Sequence, residues 1–510
     1  MKTIHIHRKK TPKQQHPAPQ AKVQNPPPVH MPNGLNEKLN LLGGFEKTNG
    51  DVQTMDLVLN KVPHCVICIN GMVDLNALRN FIIQPLRIAN ERGTKLAAND
   101  LVYAGTVVPI RHPEEMVEYL CRGDVLLLWE GKNGAYAVEM PGNANIRSIS
   151  DSIMERSALG GRESFVESLA TNTGMLRQKL KGSNLTIEYM QLGRRTKSQA
   201  AIVHISDITD DRILHNVKEA LAQIDVDSIN SVGQLSEFLE GNPYSVFPQT
   251  KMTDRPDIVV ADLLDGRICV LVDQMPHALI MPSLFLEMFQ AIDDYALRPI
   301  QGTYMRCLRF IAFILSVCVP GLLLSFLSFH HTLIPTELLS PLMLFEFDVP
   351  LPIYAQIALL EVLLQLLVEG TIRLPTISGS TIGIVGAVIL GQALSLSRLA
   401  SPLIILSMTI SMMASFCIPN YYLSLSGRIL RWVVLLFSVL FGLYGFSVSC
   451  MLLLLHVASL ESFKVPYTAP LAPLHHKDWL DTLVRFPARL KRTRPTSIPT
   501  KDKIRKGGVV

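Results

Sequence analysis

The most specific chemistry in the sequence sits inside an apolar stretch. Glu361, Gln365 and Glu369 recur at i, i+4 and i+8 and so share one face of a helix. The rest of Ile353–Val368 is apolar apart from Gln356. A charged side chain at the centre of a bilayer costs at least ~2.5 kcal/mol on insertion scales, so such groups face protein or water. In an oligomer this face would line a cation path, with Glu361 and Glu369 forming rings. The same pattern also suits an amphipathic helix at the membrane surface or polar contacts between helices. Gly383, Gly386 and Gly391, within Ile382–Leu396, allow close helix packing or a flexible gate.

Other reactive groupings are weak. Cys65-Val-Ile-Cys68 is formally C-x-x-C, but no second ligand pair follows, and His64–Asn70 reads as a buried strand. His330-His331 and His475-His476 are adjacent, so neither pair shares a helix face. Gly131-Lys132 lacks the upstream Gly and the following Ser or Thr of a phosphate loop, and no zinc-protease, nucleophile-elbow or dinucleotide fingerprint is present. The expectation is a non-enzyme with no cofactor and no resident metal.

The elements around these residues divide the chain. Of 510 residues, 48% are apolar and 18% charged, with a mean hydropathy of +0.26. An ordinary soluble domain carries about 25% charge. The apolar residues are concentrated: between Leu374 and Leu460 the only charged residues are Arg398, Arg428 and Arg431. The reading is a membrane protein with an N-terminal cytoplasmic α/β region of two subdomains. An α-helical bundle of about four spans follows, with a polar-faced partial or re-entrant helix over 353–369. The expected spans are Leu308–Phe329, Ile382–Leu396, Pro402–Ile418 and Trp432–Val457.

Domain bounds follow composition. Residues 1–50 are Pro- and Gln-rich and basic, and are expected to be disordered. Residues 51–145 and 146–300 form the two α/β subdomains, with no internal repeat evident, 301–473 the membrane domain and 474–510 a basic cytoplasmic tail. Hairpins are expected around Gly131–Gly134 and Asp273–Pro276. Arg298, Arg306 and Arg309 precede the first span, and the segment 475–510 holds ten Lys or Arg against three Asp. The positive-inside bias then puts both termini on the cytoplasmic side. No aromatic–basic interleaving suggests nucleic acid.

The order of motifs carries a resemblance. Asp254-Arg255-Pro256-Asp257, Leu264-Asp265-Gly266-Arg267-Ile268, Arg306-x-x-Arg309-Phe310 and Ile334-Pro335-Thr336-Glu337 come first. Val349-Pro350-Leu351-Pro352, Arg373-Leu374-Pro375 and Val465-Pro466-Tyr467-Thr468-Ala469-Pro470 follow. Across about residues 150–473 the chain resembles the GerA-type spore germinant receptor A subunits. It departs from the pattern at Phe345-Glu346, Gln356, Gln365 and Val368, which leaves fewer charges on the polar helix. The resemblance implies a subunit in the spore inner membrane working with a transporter-like B subunit and a C lipoprotein, within a homo-oligomer of A subunits. It implies coupling of nutrient sensing to ion release, with the A subunit as conducting element. The alternative is a membrane-anchored scaffold that docks other germination proteins without conducting.

Overall fold

A computed structural model describes residues 31–505 except 60–61, 92–105, 132–133, 141–154, 156–159, 336, 338–348, 374–385, 387, 390, 395, 476–477 and 488. The expected architecture is present: two α/β units followed by a region of apolar helices.

The first unit opens with α1 (Leu35–Thr48), followed by β1 (Val52–Leu59), β2 (Val62–Ile69), β3 (Val107–Pro109), α2 (Pro113–Arg122), β4 (Val125–Trp129) and β5 (Ala135–Val138). Its sheet runs β1-β2-β4-β5-β3, antiparallel throughout. Period-2 alternation sends Cys65, Ile67 and Leu128 to one face, beneath α1 and α2, and Val66, Cys68 and Leu127 to the other. Helix α1 corrects the disorder expected over 1–50. Leu42 is buried against this sheet, and Lys38 donates to the carbonyls of Trp129 (2.7 Å) and Gly131 (2.9 Å). Residues 1–30 lie outside the described residues.

The second unit comprises α3 (Leu169–Lys179), β6 (Leu185–Leu192), β7 (Ser198–Ile205), α4 (Asp211–Ala222), α5 (Val232–Leu239), β8 (Lys251–Thr253), α6 (Pro256–Leu264), β9 (Ile268–Val272) and β10 (Ala278–Met281). Its sheet runs β6-β7-β9-β10-β8. Both sheets place their first, second, fourth, fifth and third strands in that spatial order, each with helices between the second and fourth strands. The two units therefore repeat one topology. The sequence hides this because the repeat lies in connectivity and not in residue identity. Both expected hairpins form, with Leu128 opposite Ala135 and Leu271 opposite Ala278.

A buried polar clamp joins the units. Arg177 of α3, fully buried, donates from Nε to Asp51 (2.7 Å), from Nη2 to Asn49 (2.6 Å) and from Nη1 to the Leu185 carbonyl (3.0 Å). Beside it Gly71, at φ +85°, lies against Gly174 so closely that a Cβ on Gly174 would sit 2.4 Å from the Gly71 oxygen. Neither position has room for a side chain.

The helical region contains α7 (Pro299–Phe329), α8 (Ile353–Arg373), α9 (Pro402–Phe416) and α10 (Tyr421–Ser459). Among the described residues, Pro299–Phe329, Ile353–Thr371 and Tyr421–Ser459 are long and apolar enough to cross a bilayer. Helix α8 is continuous, so its length does not require the partial or re-entrant course expected. Helix α10 corrects the single span read over Trp432–Val457. It is two helical arms meeting at Gly442, whose φ of 58° and ψ of −137° are non-helical. Ser426 near its start donates to the Val246 carbonyl (2.5 Å), and His456 near its end meets the Ser245 hydroxyl (3.1 Å). The Gly442 turn packs on Phe329, the far end of α7. The arms thus form a hairpin whose two outer ends both lie at the α/β end. Residues 382–385, 387, 390 and 395 of the Ile382–Leu396 span lie outside the described residues.

Described residues of the basic C-terminal segment are tied to the second unit. Ile498 is buried in the second unit's core, Thr500 bridges Thr209, and Arg494 donates to the Leu264 carbonyl (2.8 Å).

Candidate functional site

The polar centre of the helical region starts from a proline. Pro320 lies inside α7 and has no N–H to give the carbonyl four residues earlier, that of Ser316. In a medium without water an orphaned carbonyl is costly and must find another donor. Two arrive from neighbouring helices. Arg431 of α10 donates from Nε at 2.8 Å, and Ser411 of α9 donates from Oγ at 2.7 Å. Arg431 is fully buried and spends its remaining groups locally: Nη2 reaches the Ser316 hydroxyl (3.0 Å) and Nη1 reaches Glu361 Oε2 (2.8 Å). One guanidinium therefore ties three helices together, and its charge is met by one carboxylate.

Glu361, Gln365 and Glu369 share a helix face but occupy three environments. Glu361 is 2% exposed and belongs to the Arg431 network. Its carboxylate points into its own bundle, where it holds α8 against α10. Gln365 is half-buried. Glu369 is exposed and pairs with Arg373 one turn on, at 2.6 Å. Gln356, one turn before Glu361, is fully buried: its Nε2 donates to the Leu351 carbonyl and its Oε1 accepts from the Ser401 N–H, both at 2.8 Å. The outward stripe of α8 is Tyr354, Val362 and Leu366, with Glu369 and Arg373 at its end.

The glycines differ too. A Cβ on Gly386 would lie 3.1 Å from Leu367 of α8, whereas Gly391 has nothing within 4 Å. Gly383 and Pro375 lie outside the described residues, and Pro335, Glu337, Pro350 and Pro352 are exposed before α8.

The remaining motif residues form joints. Pro256 starts α6, while Arg255 pairs with Asp257 (2.7 Å) and donates to the Gly161 carbonyl (2.7 Å). Arg306 and Arg309 both hold the buried Asp294, at 3.2 and 2.7 Å, and Arg306 also donates to the Asp481 carbonyl (2.8 Å). They lock the base of α7 to the preceding connector and to the C-terminal segment.

Reasoning from spacing alone missed the partner of Glu361. The available signal was Arg431 itself, one of three cations in an otherwise uncharged stretch, because such a residue requires an anion or carbonyls nearby. Cys65 and Cys68 sit three apart on a strand and so face opposite sides of the sheet, in two different cores, and cannot grip one ion together. Burial pushes their thiols up to about 12 and about 11.

Comparison with known proteins finds relatives of the chain. The family model described as Bacillus/Clostridium GerA spore germination protein matches residues 40–497. The chain is similar to spore germination protein KA of Bacillus subtilis, at 32% identity over 90% of this chain and 86% of that protein. It is similar to spore germination protein GerLA of Bacillus cereus, at 30% identity over 76% and 79%. Among solved structures, the N-terminal domain of the A subunit of the Bacillus megaterium spore germinant receptor GerK3 is 29% identical, over 51% of this chain and 98% of that one, with a TM-score of 0.40.

Proposed function

Since the chain belongs to the GerA family of spore germination proteins, we propose that it is the A subunit of a nutrient germinant receptor in the spore inner membrane. On this reading it works with a transporter-like B subunit and a C lipoprotein, and both termini face the spore core. Nutrient binding on the complex shifts a closed–open equilibrium of an oligomer of A subunits, and ions leave through it.

The observation that carries the conducting role is the polar chemistry of α8 within an apolar bundle. Glu361 balances Arg431 and sets the helix in place. The outward stripe of Tyr354, Val362 and Leu366, ending in Glu369, is the surface offered to a neighbouring copy. Glu369 is then the acidic group nearest a shared path, and Glu361 joins it when the Arg431 pair opens. The test is Glu361→Gln with Glu369→Gln in spores. Gln keeps an acceptor for Arg431 but leaves that cation uncompensated, so Glu369→Gln alone, which leaves the buried pair intact, is read beside the double variant. Nutrient-triggered cation release should slow while protein amount stays constant; unchanged release kinetics would remove the conducting role.

The scaffold reading has its own observation. The side chains of Arg194 and Arg195, in the β6–β7 turn, are exposed and held by surface pairs to Asp225 and Asp227, with Lys197 beside them at φ 46°. Exposed pairs contribute little to folding, so this turn is available to a partner. Replacing Arg194, Arg195 and Lys197 with Ser should scatter receptor clusters and leave ion release intact if docking is the main role.

A further inference from the structure

A cavity of about 380 Å³ lies where the second α/β unit, the connector into α7 and the C-terminal segment meet. This is within the size range of small-molecule sites. Its walls include Lys251, Asp262 and Arg267 from the α/β unit, Glu287 from the connector, and Asp481 and Arg494 from the C-terminal segment.

Most of its charges are already used. Lys251 holds Asp262 (2.8 Å), Arg505 holds Asp265 (2.9 Å), Lys491 holds Asp481, and the Ser497 N–H meets Asp478 (2.6 Å). Arg494 is spent on Asp502 and on the carbonyls of Leu264 and Ile504. Glu155 accepts from the Thr253 hydroxyl (2.7 Å) and Arg492 is exposed, so the buried charges on the walls with open hydrogen-bonding positions are one pair. Arg267, 2% exposed, donates Nη2 to Glu287 Oε1, but its Nε and Nη1 have no hydrogen-bond acceptor; the nearest carboxylate to Nε, on Asp262, is 3.6 Å away. Glu287 Oε2 likewise has no donor. Buried groups of this kind are rarely left unsatisfied in a folded protein. Nε and Nη1 lie on different edges of the guanidinium, so each offers a single charged hydrogen bond to an oxyanion such as a carboxylate or phosphate.

We infer that this cavity is a binding site for a small molecule that offers a carboxylate or phosphate to Arg267 and a neighbouring hydroxyl to Glu287. Such a ligand bridges the α/β unit and the connector within a cavity that the C-terminal segment also walls, so its binding stabilises that docked arrangement by mass action. This site is separate from the membrane network and does not depend on conduction.

The test uses the full chain in detergent, titrated at matched ionic strength with inorganic phosphate, L-lactate and, as the neutral control, propane-1,2-diol. Phosphate or lactate should raise the unfolding temperature saturably, and the diol should not. Response to phosphate alone or to lactate alone identifies which oxyanion the site takes. Arg267→Gln should weaken binding at least tenfold. Should that variant fail to fold, Ala291→Phe decides, because it fills the cavity and leaves every charge in place. Absence of saturable stabilisation by either anion, or wild-type binding by Ala291→Phe, would overturn the assignment.

Discussion

Arg431 supplies the Ser316 carbonyl with the hydrogen bond that Pro320 withholds. A proline in α7 and a cation in α10 are thus one device, and Glu361 completes it. Removing one member of a buried pair leaves an uncompensated charge, at a cost of about 3–5 kcal/mol. Arg431→Leu should therefore lower the unfolding temperature of the purified chain sharply. Glu361→Leu combined with Arg431→Leu should recover much of that loss, because two apolar groups can replace a buried pair with little cost. A double variant as unstable as Arg431→Leu would show that the Ser316 carbonyl, and not Glu361, is the group that needs Arg431.

The interface between the α/β units predicts a steric effect of similar size. Gly174→Ala places a methyl 2.4 Å from the Gly71 oxygen, a backbone atom that cannot step aside cheaply. Overpacking of this kind costs on the order of 1–3 kcal/mol. Urea unfolding of the full chain should show that loss. Gly43→Ala, in α1 with nothing within 4 Å, should be neutral or slightly stabilising.

These contacts mark what was legible in the sequence. Local pattern located the strand at His64–Asn70 (β2, Val62–Ile69) and both hairpins, since each is held by period-2 alternation and turn chemistry. The i, i+4, i+8 pattern placed Glu361, Gln365 and Glu369 on one helix, but it could not say that Glu361 would turn inward, because its partner lies 70 residues away. Gly442 was equally opaque. One glycine in an apolar run reads as helix, and only contacts from both arms to the loop at Ser245 and Val246 reveal a hairpin. The repeated strand order was invisible for the same reason: it is set by long-range pairing. Helix α1 was masked by the polar stretch before it, whereas Leu42 and Lys38 gain their stability from the distant strand β4 and its turn.

Thiol chemistry checks the strand assignment. Only the thiolate reacts, and burial raises the pKa of Cys65, Cys68, Cys121 and Cys269. All four are buried and free. Iodoacetamide at neutral pH should leave them unlabelled in the native chain, and mapping by mass spectrometry should find all four modified once denaturant is added. Rapid native labelling of Cys65 and Cys68 together would contradict their placement on opposite faces of a closed sheet.

The pH dependence of the α/β region follows from its buried imidazoles. His204 on β7 is 5% exposed, with Nε2 3.2 Å from Glu188 and Nδ1 without a partner. Burial lowers its pKa, and the Glu188 contact only partly opposes this; burial likewise lowers the pKa of His64 and His277. The unfolded chain takes up these protons near pH 6.5, whereas the folded chain does so only at lower pH. Stability from this source is complete above about pH 6.5 and is lost as pH falls through the lowered folded values. Unfolding curves should therefore be flat from pH 8 to 7 and shift to lower denaturant below about pH 6.5. In His204→Gln the slope over that range should be shallower, by the share that His204 contributes. An unchanged slope would mean that His204 is already protonated in the folded chain and paired as a cation with Glu188.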